Sequence, residues 1–149
     1  MAYGFHCVLA RESLINMRYF RTLVVDDAED FRRFLCSTLE EKTQCKVVGE
    51  ASDGLEAVAR AEELQPDLVL LDLGLPTMNG IEVTLQIRKV SPNSKILLCT
   101  QTCSREIAQR ALGSGANGYL LKSDASDLSI AVEAVLRGEQ FVSSRVTQN

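Results

Sequence analysis

From Thr22 onward the chain repeats a two-part pattern: a short apolar run, then a segment whose apolar residues recur every three or four positions. The runs are TLVVDD (22–27), KVVGEA (46–51), DLVLLD (67–72), KILLCT (95–100) and NGYLLK (117–122). They do not alternate apolar with polar, and unbroken runs of this length suit strands buried on both faces. The segments between them read as helices. DFRRFLCSTLEE (30–41) sets Phe31, Phe34, Leu35, Thr38 and Leu39 on one face. GLEAVARAEEL (54–64) is Ala-rich and is stopped by Pro66. GIEVTLQIRKV (80–90) turns Ile81, Leu85 and Val90 inward and ends before Pro92. SREIAQRALGSG (104–115) closes on glycines, and SDLSIAVEAVLRG (126–138) takes Ser126 as its N-cap and Gly138 as its C-cap.

Five such strand–helix units predict an α/β fold, a doubly wound five-stranded parallel sheet with helices on both faces. Sites in that architecture lie beyond the carboxyl ends of the strands. The runs end at Asp26 and Asp27, at Asp72, at Thr100 and at Lys122, so one rim gathers three carboxylates, a hydroxyl and an ammonium. Asp72 closes the most apolar of the runs, where a carboxylate is costly unless something satisfies it. Clustered carboxylates push one another's pKa upward, and a hard divalent cation relieves that repulsion. Mg²⁺ suits the set, because it takes oxygen ligands and is held by one or two carboxylates plus phosphate oxygens. A carboxylate beside such a metal can attack phosphorus and become an acyl phosphate, with a lysine and a hydroxyl stabilising the transition-state charge.

Composition narrows the classes. The 149 residues carry a net charge of -4, with no Lys/Arg cluster of the kind a nucleic-acid surface needs, so no direct nucleic-acid binding is expected. Five cysteines (Cys7, Cys36, Cys45, Cys99, Cys103) without a CxxC pair, beside a single histidine, argue against a zinc site or a disulfide framework. Reduced, packed thiols in a cytoplasmic protein are the expectation. Arg11 and Glu12 interrupt the N-terminus before a signal-peptide core forms, and no apolar run approaches the ~20 residues of a membrane span.

LVVDDAEDFR, PDLVLLDLGLPTMNGIEV, ILLCT and GANGYLLK together resemble the receiver domain of bacterial two-component response regulators, over residues 20 to 140. The resemblance implies a flavodoxin-like, CheY-like (βα)5 receiver that is a switch and not an enzyme proper. It makes Asp72 the phosphoacceptor, Asp27 a direct Mg²⁺ ligand, Asp26 a ligand through water, and the Gly74 carbonyl a backbone ligand. It gives Lys122 and Thr100 to the phosphoryl oxygens, and makes Tyr119 the aromatic that swings inward as Thr100 moves. The implied donor is a sensor histidine kinase. A homodimer through the face of the fourth helix, fifth strand and fifth helix is a further family expectation. Ser123 in place of the commoner proline, with RGEQFVSSRV (137–146), is similar to the branch with a LuxR-type helix-turn-helix output, whose DNA-binding domain does not follow in these 149 residues. Residues 1–19 form an unassigned extension, with Met17 an alternative start, and 141–149 read as a tail or the beginning of a linker.

Three positions modulate access in this reading. Gln101 stands where receivers usually carry a small residue and is expected to slow entry to the site. Gly74 and Thr102, each two residues beyond a site residue, border the route of hydrolytic water. Other readings stand beside this one: the two acids capping a helix, Lys122 as a surface lysine, Tyr119 as plain core. At the level of function the alternatives are a degenerate receiver acting only as an interaction module, a dehalogenase-like phosphatase and a nucleotide-binding protein. Gly74 sits where the phosphatase needs its second acid, and DDAEDF is acidic where a nucleotide site needs a glycine-rich loop.

Overall fold

Every residue of Leu68–Leu71 is fully buried, and this four-residue strand lies inside the sheet of a computed structural model that describes residues 18–148. The strands are β1 (Phe20–Val25), β2 (Cys45–Ala51), β3 (Leu68–Leu71), β4 (Lys95–Thr100), β5 (Gly118–Leu121) and β6 (Phe141–Val142). All pair in parallel in the order β2-β1-β3-β4-β5-β6. The helices are α1 (Glu29–Lys42), α2 (Gly54–Leu64), α3 (Gly80–Val90), α4 (Arg105–Gly113), α5 (Leu128–Leu136) and the single turn α6 (Ser144–Thr147).

Why the strands lack alternation is visible in the packing. Val69, Leu71, Ile96 and Leu98 face one way, onto Ala57 and Ala61 of α2, Val83 and Ile87 of α3, and Ala108 and Ala111 of α4. Leu68, Leu70, Leu97 and Cys99 face the other, onto Leu35 and Leu39 of α1 and Leu128, Val132 and Val135 of α5. Truncating one of these leucines to alanine removes about 2–5 kcal/mol, a large share of a small domain's stability. The chain runs from β1 outward to β2, then crosses back to β3 on the other side. The carboxyl ends of β1 and β3 therefore splay into a crevice, and the acids that follow them line it.

The expected sheet of five strands gains a sixth. β6 extends the β5 edge through Gly118↔Phe141 and Tyr119↔Val142, and Val146 of α6 is buried against the α4 side of the core. Residues 141–148, expected as a tail or linker, thus continue the folded unit. Helix faces also differ in detail from expectation. Phe34 and Leu85 are exposed, because Leu35, Leu39, Val83 and Ile87 already fill the space against the sheet. Ser126 is not an N-cap: it lies within a 3₁₀ segment, Lys122–Asp127, that precedes α5. Asp53, Asn79 and Ser104 do cap α2, α3 and α4, each accepting backbone N–H bonds. Gly138 follows α5 with φ 88°, and its N–H bonds to Val135 O at 3.0 Å. His6, Cys7 and Met17 lie outside the described residues.

Candidate functional site

The carboxylates of Asp26, Asp27 and Asp72 present oxygens that all lie within 4.8 Å of one another. The sheet fixes two of them from the backbone: Asp26 N–H bonds to Ala51 O at 3.1 Å, and Asp72 N–H to Val25 O at 3.0 Å. Asp26 and Asp72 are buried, and Asp27 is exposed. The capping reading of the two acids fails. α1 has no side-chain cap, and Asp26 Oδ1 instead accepts from Ala28 N–H at 2.8 Å, holding the turn into the helix. Asp26 Oδ2 is buried and sits in a 2.8 Å ion pair with Lys122 Nζ.

Lys122 also stands 3.4 Å from Asp72 Oδ2, so one ammonium bridges two strand ends. Its Nζ rides 4.6 Å above the Phe31 ring, a contact that favours a cation there. Burial by itself pulls the ammonium's pKa down. The hydrogen bond to Asp26 and the charges of Asp72 and Asp26 outweigh that, and the group ends above its ordinary value. Asp72 moves up as well, first because it is desolvated and then because Asp26 repels it. Lys122 and the 3.2 Å bond from Gly74 N–H to Asp72 Oδ1 offset only part of that rise. Three acids against one ammonium form a cluster of oxygen donors of the kind that suits a hard divalent cation.

Thr100 is buried at the end of β4, and its Oγ1 accepts from Thr102 N–H at 3.1 Å. Tyr119 is fully buried, its hydroxyl donating to Thr102 O at 2.6 Å, and burial lifts that phenol to about 12. Thr102 therefore joins the two expected switch residues through its own backbone. Gln101 is exposed and lines a cavity of 390 Å³ with Ala28, Phe31, Lys122 and Ser123, which puts its amide at the ammonium's mouth. Gly74 and Thr102 line a separate groove of 440 Å³, and a Cβ on Gly74 would meet nothing within 4 Å. The expected site residues lie at this rim or in the loops around it, except Tyr119, which is buried within β5 and reaches the rim loop only through its hydroxyl. Spacing alone does not reveal Phe31, which sits in the first turn of α1 beside the acids, or Arg145, whose guanidinium donates to Ser123 and Asp124 next to Lys122. Of the thiols, Cys99 packs beneath the rim with its pKa pushed up to about 12 by burial, whereas Cys103 is exposed.

Such a sheet, with acids at the β1/β3 crevice and a lysine beyond β5, defines a class of phosphoryl-accepting domains. The comparisons with known proteins agree. The response regulator receiver domain family matches residues 22–133, and the chain belongs to that family. It is 40% identical over 127 residues to the response regulator protein VraR of Staphylococcus aureus (strain NCTC 8325 / PS 47), spanning 85% of this chain and 61% of that protein. A two-component response regulator of the LuxR family from Aurantimonas sp. SI85-9A1 superposes with a TM-score of 0.83 at 36% identity, covering 88% of this chain and 94% of that one. The response regulator domain of Thermotoga maritima CheB gives a TM-score of 0.75 at 30% identity, covering 80% and 98%. Among the described residues no helix is long and apolar enough to cross a membrane.

Proposed function

We propose that this receiver takes a phosphoryl group onto Asp72 from the phosphohistidine of a sensor kinase, and that the group controls an output by changing the shape of the rim. The observation that carries this is Lys122 Nζ, held 2.8 Å from Asp26 and 3.4 Å from Asp72, with Asp27 completing a cluster of three carboxylates around it. In the transfer, a carboxylate oxygen of Asp72 attacks phosphorus and the P–N bond breaks. The imidazole nitrogen keeps the electron pair and takes a proton from solvent. Lys122, already placed against Asp72, meets the charge that builds on the phosphoryl oxygens. Thr100 supplies a hydroxyl from β4. Asp26, Asp27, Asp72 and the Gly74 carbonyl would hold Mg²⁺, which when bound neutralises carboxylate and phosphoryl charge.

The domain is thus a switch whose own chemistry is limited to gaining and losing this group. Its LuxR-family relatives support a transcriptional output through a DNA-binding segment, and a cytoplasmic setting fits a kinase donor. Intact mass after incubation with acetyl phosphate and Mg²⁺ tests the proposal. A phosphoryl increment that disappears in Asp72→Ala and without Mg²⁺ is expected. An increment that survives Asp72→Ala, or none in the unaltered chain, overturns it and returns the interaction-module reading.

A further inference from the structure

The last described residues are tied to the site at five points. Ser143 N–H bonds to Tyr119 O at 2.9 Å, and Ser143 Oγ accepts from Leu121 N–H at 2.9 Å. The Arg145 guanidinium donates to Ser123 Oγ and, at 2.8 Å, to Asp124 Oδ1. The Arg145 carbonyl lies 3.9 Å from Cys103 Sγ. Each anchor is a site residue or sits one or two positions from one: Leu121, Ser123 and Asp124 surround Lys122, Tyr119 is the buried aromatic, and Cys103 follows Thr102. The segment covers the β5 edge, with Val146 buried and α6 packed on α4.

We infer that residues 141–148 are a clasp that the switch opens, a reading that rests on the proposed function. A phosphoryl group on Asp72 would draw the Thr100 hydroxyl toward it. That takes Oγ1 away from Thr102 N–H, and with it the support of the carbonyl that accepts the Tyr119 hydroxyl. The same group draws Lys122 away from Asp26 and pulls on the 3₁₀ segment that presents Ser123 and Asp124 to Arg145. Asp124 already departs from helical geometry there, with φ −105° and ψ 28°. The Arg145–Asp124 pair is half-exposed and so screened by water, which makes it the contact that yields first. Opening the clasp bares the β5 edge and the α4 side, and releases α6 from the core.

Hydrogen exchange read by mass spectrometry on the full chain tests this, before and after acetyl phosphate and Mg²⁺, with intact mass on the same sample counting phosphoryl groups. The reporters are the amides of Ser143, Val146 and Gln148, which bond to Tyr119 O, Ser143 O and Ser144 O. On phosphorylation they are expected to exchange about tenfold faster, while β1 and β3 do not change. Arg145→Ala is expected to accelerate the same amides without phosphate. By the reciprocity of linkage it also binds beryllofluoride more tightly than the unaltered chain, and Arg145→Lys lies between. Phosphorylated protein with unchanged exchange at 143–148 overturns the clasp and leaves the receiver function standing. Arg145→Ala with unaltered beryllofluoride affinity overturns it too, and absence of any phosphoryl increment overturns both.

Discussion

Two half-buried cations sit at opposite ends of the β5 strand, and they are satisfied in opposite ways. Arg88, reaching from α3 to the amino ends of β4 and β5, donates only to neutral acceptors. Its Nε bonds to Gly115 O at 2.9 Å and its Nη2 to Asn117 Oδ1 at 2.7 Å, while Nη1 reaches Ser94 O at 2.5 Å and Pro92 O at 3.1 Å. Burial without a carboxylate pulls its pKa down. Lys122, at the carboxyl end, meets two carboxylates, and its pKa rises. A planar fork locked to fixed carbonyls is a staple, with no other geometry to adopt. A single ammonium facing an excess of negative charge can trade one oxygen for another. The first arrangement holds loops together; the second is poised to change.

The largest effect belongs to the staple. Arg88→Ala takes the guanidinium from the part-buried carbonyls of Ser94 and Gly115 and from Asn117 Oδ1, and a loss of about 3 kcal/mol is expected in urea denaturation with an unchanged m-value. Adding Mg²⁺ does nothing for it. Lys122→Ala is expected to cost less, about 2 kcal/mol in metal-free buffer, because the carboxylates it leaves can recruit water or protons. Millimolar Mg²⁺ restores most of that loss, since the cation binds the folded rim and not the unfolded chain. Should Mg²⁺ rescue both variants or neither, the distinction between staple and switch collapses.

A smaller effect follows from Asp72. Its raised pKa means that the ionised carboxylate opposes folding, so its favourable contribution is complete below the ordinary value of 3.8 and fades as pH climbs through the native value. Asp72→Asn does not titrate there. Without metal, its urea midpoint should gain on that of the unaltered chain as pH rises above about 4, and a constant offset would remove the argument. The smallest effect is kinetic. Gln101→Ala clears the cavity at Lys122, and phosphoryl uptake from acetyl phosphate should quicken by a factor of about five, ~1 kcal/mol in barrier. Equal rates in an intact-mass time course would dismiss Gln101 as a gate.

Strand positions were legible because both faces of the sheet are covered, so each strand is an apolar run and a polar residue marks its end. That same mark exposed Asp26, Asp72, Thr100 and Lys122, and the order of strands did the rest. Helix faces were less legible. Phe34 and Leu85 satisfy a helical spacing, but which side of a wide apolar stripe meets the sheet depends on neighbours such as Leu39 and Ile87. β6 has two residues, too few for any pattern, and exists only because Phe141 and Val142 fall in register with Gly118 and Tyr119. Arg88 and Arg145 act through partners up to 29 and 22 positions away, and nothing in the local sequence announces a long side chain's destination. Phe31 was read as core for its spacing, when its ring was needed under a cation.

β6 also settles how the sheet ends. A parallel strand left bare offers a row of unpaired N–H and C=O groups to any passing chain, and β5, fully buried on its faces, would be an apolar template of that kind. Phe141 and Val142 use up the template, while the strand they form is itself too short to start another. Trimming the chain after residue 140 would therefore do more than shorten it: it would turn a terminated sheet into an open one, whose bare β5 edge could seed edge-to-edge assembly.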